Sequence, residues 1–371
     1  MPENILIKNS LLFTMQGKGL GVEEDGAVYV EGGEIQYVGP MEEITKDSID
    51  PDFVINGDNE KAVLPGLIDG HLHSSETLFK GLAQDVPENE WMHKTIDPFT
   101  SHLTEDHMIK GAKLAVLEGL NNGTTTFTDY GYPIKPVIEN VYVPLKLRMV
   151  AVPKINAMPA KRNNLKAGLL YEFDEERGEK LFKEARSVIE DFNGAKEDRI
   201  RCMIGPQCAD MVPLELLKQI FEFSEEEDLM VHMHIAQGDR ERQQMNERYD
   251  QSTVSFLEDN NFLSENLMAA HCHGATQEEL KTLADSGAKM VSCPTSISMI
   301  DGIVPPLAEY LKMGGISALG SDQAAGNNNQ SILAEMKITA LLNKVRHADA
   351  TALKAWQILR LATIDGAKAL G

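Results

Sequence analysis

The sequence predicts a (β/α)8 barrel of the TIM type preceded by a small β module. Three observations lead there. From residue 63 onward, apolar strand-like runs alternate with amphipathic helical stretches. Eight such runs can be placed, and the first is not followed by the GxGxxG turn of an open nucleotide-binding sheet. Histidine and aspartate recur at the C-terminal ends of these runs, on the rim where a barrel builds its active site. A chain of 371 residues, 42% of them apolar, suits a barrel with a small appendage and excludes a disordered one.

Residues 1–62 form the expected β module. ILIKNSLLFTM, GAVYVEGGEIQYVG and DFVINGD carry β-branched and aromatic residues beside Gly or Asn-Gly punctuation. The barrel is expected over residues 63–371. Its strands are predicted at Val63–Asp69, Thr124–Tyr130, Leu147–Ile155, Ile200–Pro206, Met230–Ile235, Leu267–His271, Lys289–Cys293 and Ile316–Gly320. Between them LTEDHMIKGAKLAVLEGLNN, DEERGEKLFKEARSVIEDF and PLELLKQIFEFSEEED repeat apolar residues every three or four positions, with charges opposite. The last segment, ALKAWQILRLATIDGAKALG, reads as one amphipathic helix.

Composition narrows the partners. A net charge of −22 repels phosphate backbones and anionic membranes, leaving a small molecule as the expected ligand. The four cysteines form no CxxC pair, which fits a reducing cytoplasm better than a disulfide framework. MPENILIKNSLLFTM lacks the basic start and long apolar core of a signal peptide. No stretch approaches the ~20 apolar residues of a membrane span. The expectation is a cytoplasmic protein, with homo-oligomer formation left open.

Three histidine pairs carry the chemistry: His71 and His73, His232 and His234, His271 and His273, each where a strand ends. Alternate residues of a strand share a face, so each pair can aim two imidazoles at one point. The eighth strand ends at Asp322. Three imidazoles and one carboxylate suit one divalent ion, zinc first, with iron or manganese as alternatives. A lone buried histidine is more often a hydrogen-bonded core residue, but three pairs and an aspartate at successive strand ends point to a site. His102, His107 and His347 lie in helical stretches and read as surface residues, while His93, in the loop ENEWMHK, fits either role.

At these residues the sequence resembles the amidohydrolase superfamily, in the branch of nucleoside and nucleobase deaminases (the methylthioadenosine/S-adenosylhomocysteine deaminase type) and s-triazine hydrolases. PGLIDGHLH, VHMHIAQ, AAHCH, SCPTSIS and LGSDQAAGNNN are similar to its strand-end motifs in order, and SSETLFKGLAQDVPENEW to its substrate-facing loop. The resemblance implies His71, His73, His234 and Asp322 as metal ligands. It implies Asp322 as general base and His271 as hydrogen-bond partner of the attacking water or substrate. Glu90 would face the substrate. Family members also continue past the final helix to complete the β module, whereas this sequence stops at Gly371.

Four positions depart from the family pattern. Gln237 stands where the branch carries a Glu that protonates the substrate ring, and an amide cannot supply that proton. Gln207 replaces a His after the fourth strand, Ser292 replaces a His before Cys293-Pro294, and Gln323 replaces a Gly after Asp322. Gln207, Gln237 and Gln323 suit a pocket that reads a polar heterocycle. A neighbouring carboxylate, such as Asp239 or Glu241, is expected to reach in if ring protonation is needed. The leading reading is hydrolytic deamination of a purine, pyrimidine, pterin or adenosine-type ring by water activated at the ion. One alternative is an s-triazine-type hydrolase that displaces chloride or alkylamine. The other is a catalytically impaired barrel that serves as a binding scaffold.

Overall fold

The computed structural model describes residues 4–45, 49–86, 88–160, 165 and 169–371. The chain divides into two compact units, Met1–Gly66 and Leu67–Gly371.

The first unit is a sheet of β1 (Ile5–Phe13), β2 (Val22–Glu31), β3 (Glu34–Pro40), β4 (Phe53–Asn56) and β5 (Ala62–Val63). Its order is β3-β2-β1-β4, with β5 also on β1. The two hairpin pairs are antiparallel, while β4 and β5 join β1 in parallel. Leu6, Ala27 and Tyr29 are its buried centre. The predicted first barrel strand, Val63–Asp69, is thus two pieces: Val63 belongs to β5, and the barrel strand starts at Leu67. Pro65 lacks the N–H a continuous ladder needs, so the run breaks there.

The second unit is an α/β barrel of parallel strands. Its strands are β6 (Leu67–Leu72), β7 (Thr124–Gly131), β8 (Arg148–Ile155), β9 (Ile200–Cys202), β10 (Gly205–Pro206), β11 (Val231–Ile235), β12 (Leu267–His271), β13 (Lys289–Ser292) and β14 (Ile316–Leu319). The predicted run Ile200–Pro206 is interrupted, so β9 and β10 both pair with β8 and serve as one staggered strand. A parallel bridge from Ile204 to Val231 joins this half to β11–β14, and another from Leu72 to Asp322 closes the ring. Eight strand positions therefore encircle one interior.

Periodicity decides what fills it. Alternate residues Val150 and Val152 of β8, Met268 and Ala270 of β12, Val291 and Ala318 pack inside the ring with Tyr130 and Met203. The outer faces pack against helices, among them Glu105–Asn121, Glu175–Phe192 and Leu214–Glu226. Thr104 and Asp174 cap the first two by accepting from the backbone N–H groups of His107 and Arg177. The expected final helix is two, Ala355–Leu361 and Ile364–Ala369. They part at Thr363, whose backbone leaves helical geometry (φ −133°, ψ −104°).

Candidate active site and metal centre

β6 carries His71 at its C-terminal end and delivers His73 just beyond it, and buried carboxylates behind this stretch fix its course. Asp69 accepts hydrogen bonds from Ser321 N (3.0 Å) and Ser321 Oγ (2.5 Å), tying the first barrel strand to the end of the last. Burial outweighs these bonds and pushes the Asp69 pKa up to about 7. Asp129 accepts from the backbone and hydroxyl of Ser74 and from Tyr142 Oη (3.0 Å), which anchors the chain just beyond His73. Glycine is needed across the seam, because a Cβ on Gly320 would lie 2.9 Å from the carbonyl oxygen of His71.

Two groups of candidate ligand atoms fall in one place: His71, His73 and His234, and His71, His271 and Asp322, with the atoms of each group within 4.8 Å of one another. His71 Nε2 lies 3.6 Å, and His73 Nε2 3.5 Å, from Asp322 Oδ1. The other ring nitrogens are engaged. His73 Nδ1 donates to the Tyr130 carbonyl (2.7 Å) and His234 Nδ1 to the Gln207 carbonyl (2.9 Å), while His71 Nδ1 is 3.0 Å from His232 Nε2. The two bonds to carbonyls leave Nε2 of His73 and His234 as the nitrogen that can offer a lone pair. Asp322 Oδ2 accepts from Ser296 Oγ at 2.6 Å.

Protonation states agree with that arrangement. Burial, reinforced by neighbouring imidazoles, holds the His73 and His234 pKa values well below the usual range. Burial also brings His271 down to about 3. At Asp322 burial opposes ionisation, but the His71, His271 and His73 rings outweigh it and hold the carboxyl well below its normal range. Neutral imidazoles beside a carboxylate are the forms that ligate a divalent ion. His71 Nε2 and both ring nitrogens of His271 are buried with no hydrogen-bond partner among the described residues. Orphaned buried nitrogens facing a carboxylate fit a metal better than a packed core. Two of the residues are also conformationally strained: His271 (φ 76°) and Asp322 (φ 60°) sit in the left-handed region.

His73, His234 and Asp322 open into a cavity of about 330 Å³. Gln207, Gln237 and Gln323 line it too. Gln237 follows a left-handed turn at Ala236 (φ 51°). The Glu241 carboxylate holds that turn by accepting from Ala236 N (2.9 Å) and Gln237 N (2.7 Å). Gln207 Oε1 accepts from Asn156 (2.8 Å), and Gln323 Nε2 donates to Ser296 Oγ (3.2 Å).

Other expectations meet a different arrangement. Glu90 is not among the cavity-lining residues; its carboxylate pairs with Lys94 (2.6 Å), and the next residue, Trp91, turns inward instead. Neither carboxylate offered as a substitute for Gln237 reaches in, since Asp239 is exposed and Glu241 is spent on the turn. His102 and His107 are exposed, but His347 is half-buried beside Glu309 (3.5 Å). The side chain of His93 lies outside the described residues. Reading the sequence missed Glu76, Asp97, Lys154, Asn156 and Arg177 in the cavity wall. Glu76 was nearest to being found, three residues after His73, and burial raises its pKa.

A third acidic group, Cys208, Asp210 and Glu241, is a buried brace rather than a second centre. Asp210 Oδ2 already takes the Arg240 guanidinium and the Tyr171 hydroxyl (2.6 Å). No described helix is long and apolar enough to cross a membrane.

Comparison with known proteins agrees with the geometry. The model of the Amidohydrolase family matches residues 62–371. A 5'-deoxyadenosine deaminase of Methanosarcina mazei is 32% identical over 368 residues, 99% of this chain and 80% of that protein. A 5-methylthioadenosine/S-adenosylhomocysteine deaminase of Halothermothrix orenii is 30% identical over 367 residues, 99% of this chain and 81% of that protein. Among solved structures, an adenosine deaminase from Xanthomonas campestris with bound zinc superposes with a TM-score of 0.88 at 25% identity, covering 99% of this chain and 80% of its own.

Proposed function

The chain belongs to the amidohydrolase family, and from that membership we propose that it hydrolytically deaminates an adenosine-type nucleoside with zinc as its ion. The observation that carries the reading is the convergence of His71, His73, His234 and Asp322 beneath one polar cavity. The deaminases of M. mazei and H. orenii support the substrate class, and the zinc of the X. campestris structure supports the ion.

A divalent ion held by those four residues supplies Lewis acidity that makes water a nucleophile at neutral pH. Asp322, ionised and fixed by Ser296, accepts the proton that the attacking water gives up. The neutral imidazole of His271 orients that water. A C–O bond forms at the ring carbon bearing the amino group, the C–N bond breaks, and the proton taken by Asp322 leaves with ammonia. Gln237, Gln323 and the Gln207–Asn156 pair present amide donors and acceptors to the ring edge. Gln237 donates a hydrogen bond but no proton. Protonation of a ring nitrogen therefore falls to Glu76, a carboxyl in the same wall, which regains its proton from the second O–H of the added water as the ring C=O forms.

The test is ammonia release from adenosine, 5'-deoxyadenosine, methylthioadenosine, guanine and cytosine by zinc-loaded protein. Activity is expected on the adenosine-type substrates. Asp322→Asn should lower kcat by at least ~10²-fold with little change in KM, metal content being measured on the same sample. Release of chloride or alkylamine from triazines without ammonia from any of these rings would favour the displacement reading. Zinc occupancy with no turnover at all would favour the scaffold.

A further inference from the structure

Of the three candidate ligand histidines His71, His73 and His234, two donate from Nδ1 to main-chain carbonyls, which no side-chain substitution removes. His71 alone depends on another side chain. Its Nδ1 is 3.0 Å from His232 Nε2, and both rings are wholly buried. We propose that His232 is a positioning residue that fixes the tautomer of His71 and so sets the affinity of the centre for its ion. This rests on the reading of His71, His73, His234 and Asp322 as a metal site.

Proton accounting gives the direction. A neutral imidazole carries one proton. His71 presents Nε2 toward Asp322 Oδ1 (3.6 Å) and can ligate there only if its proton is on Nδ1. The bond therefore runs from His71 Nδ1–H to the lone pair of His232 Nε2. In the reverse direction His71 would carry its proton on Nε2, facing the ion. With its Nε2 accepting from His71, His232 holds its own proton on Nδ1, and that nitrogen has no hydrogen-bond partner among the described residues. A buried polar atom left unpaired is a cost to folding, and an apolar residue would avoid it. What the imidazole provides in return is the acceptor that His71 needs.

His232 is not itself placed as a ligand. It lies on the same face of β11 as His234, one pleat deeper toward the barrel floor. It belongs to neither group of converging ligand atoms at the site. Its ring is tilted 48° to that of His71 with centroids 4.9 Å apart, so the two rings do not stack face to face.

The experiment compares zinc affinity of metal-stripped wild type, His232→Leu and His232→Gln by competition with a chromophoric chelator. Near-ultraviolet circular dichroism and melting of the stripped proteins report the fold. His232→Leu should weaken zinc binding roughly 10- to 100-fold with the fold unchanged, the usual scale for loss of a partner behind a metal ligand. His232→Gln, whose carbonyl oxygen can accept from His71, should recover most of the loss. Should His232→Leu fail to fold, His232→Asn, which is too short to reach His71, takes its place. Equal affinity in wild type and the Leu or Asn variant overturns the proposal and leaves the metal centre standing. Equal loss in the Gln and Leu variants overturns it in favour of simple packing. A folded wild type that binds no zinc overturns the metal-centre reading, and this proposal with it.

Discussion

At the scale of single residues, Gln237 poses the sharpest chemical question. It lines the cavity, and its backbone N–H is held by a carboxylate on the far side of the turn. Placing a carboxyl at 237 gives the substrate ring a second proton donor besides Glu76, at the position where an amide now stands. Gln237→Glu should therefore raise kcat for adenosine-type substrates about tenfold, a modest share of what general acids contribute. Steady-state ammonia release checks this. A fall instead would assign the native amide a role in orienting substrate, with Glu76 the sole proton donor. The candidate ligand histidines that the barrel brings together were legible in the sequence because a strand advertises them in pairs. Glu76, Asp97, Lys154 and Asn156 were not, since each is an isolated polar residue whose neighbours are distant in the chain. Glu90 was misplaced for a related reason: a short helical turn decides which of Glu90 and Trp91 faces inward, and neither residue type reveals the register.

At the scale of elements, the seam between β6 and the end of β14 governs the site. Gly320 has no room for a side chain against His71. Gly320→Ala should push the His71 backbone away, at a cost of roughly 1–3 kcal/mol typical of overpacking. Zinc content should fall further than stability does, which metal analysis alongside urea denaturation would show. If the variant melts early but binds zinc normally, the seam bears on packing alone. Strand existence was readable from apolar runs, yet their interruptions were not. Pro65 offered a signal for the break before Leu67 that the predicted run Val63–Asp69 passed over, whereas the gap between β9 and β10 follows from barrel stagger that no local pattern records. The split of the last helix at Thr363 is likewise invisible in an amphipathic pattern that continues across it.

At the scale of the whole molecule, buried titrating groups make stability depend on pH in opposing directions. Burial pushes Glu335 up to about 7 while it accepts from Thr295 N (3.1 Å) and Asn327 (3.0 Å). Between its ordinary value of 4.5 and about 7, the folded state binds more protons there than the unfolded state does. Acidification through that window therefore favours folding through this group, and alkalinisation opposes it. His271, held down to about 3, acts the other way: the unfolded chain takes up its proton first as pH falls below 6.5. Comparing wild type with Glu335→Gln isolates the carboxyl. The stability difference in favour of wild type should grow from pH 7 to pH 5 in urea titrations, and a flat difference would show that Glu335 ionises normally.

The clasp between Asp69 and Ser321 spans 252 positions of the chain. At roughly 5–20 residues per second, a ribosome needs about 12–50 s to make the segment that separates the two partners. Throughout that interval His71 and His73 exist without Asp322. An ion meeting the nascent chain would find the candidate ligand set incomplete, so the proposed centre could be filled as a whole only once the barrel is finished. Cellular metal supply would then act on the completed protein, after the ring has shut.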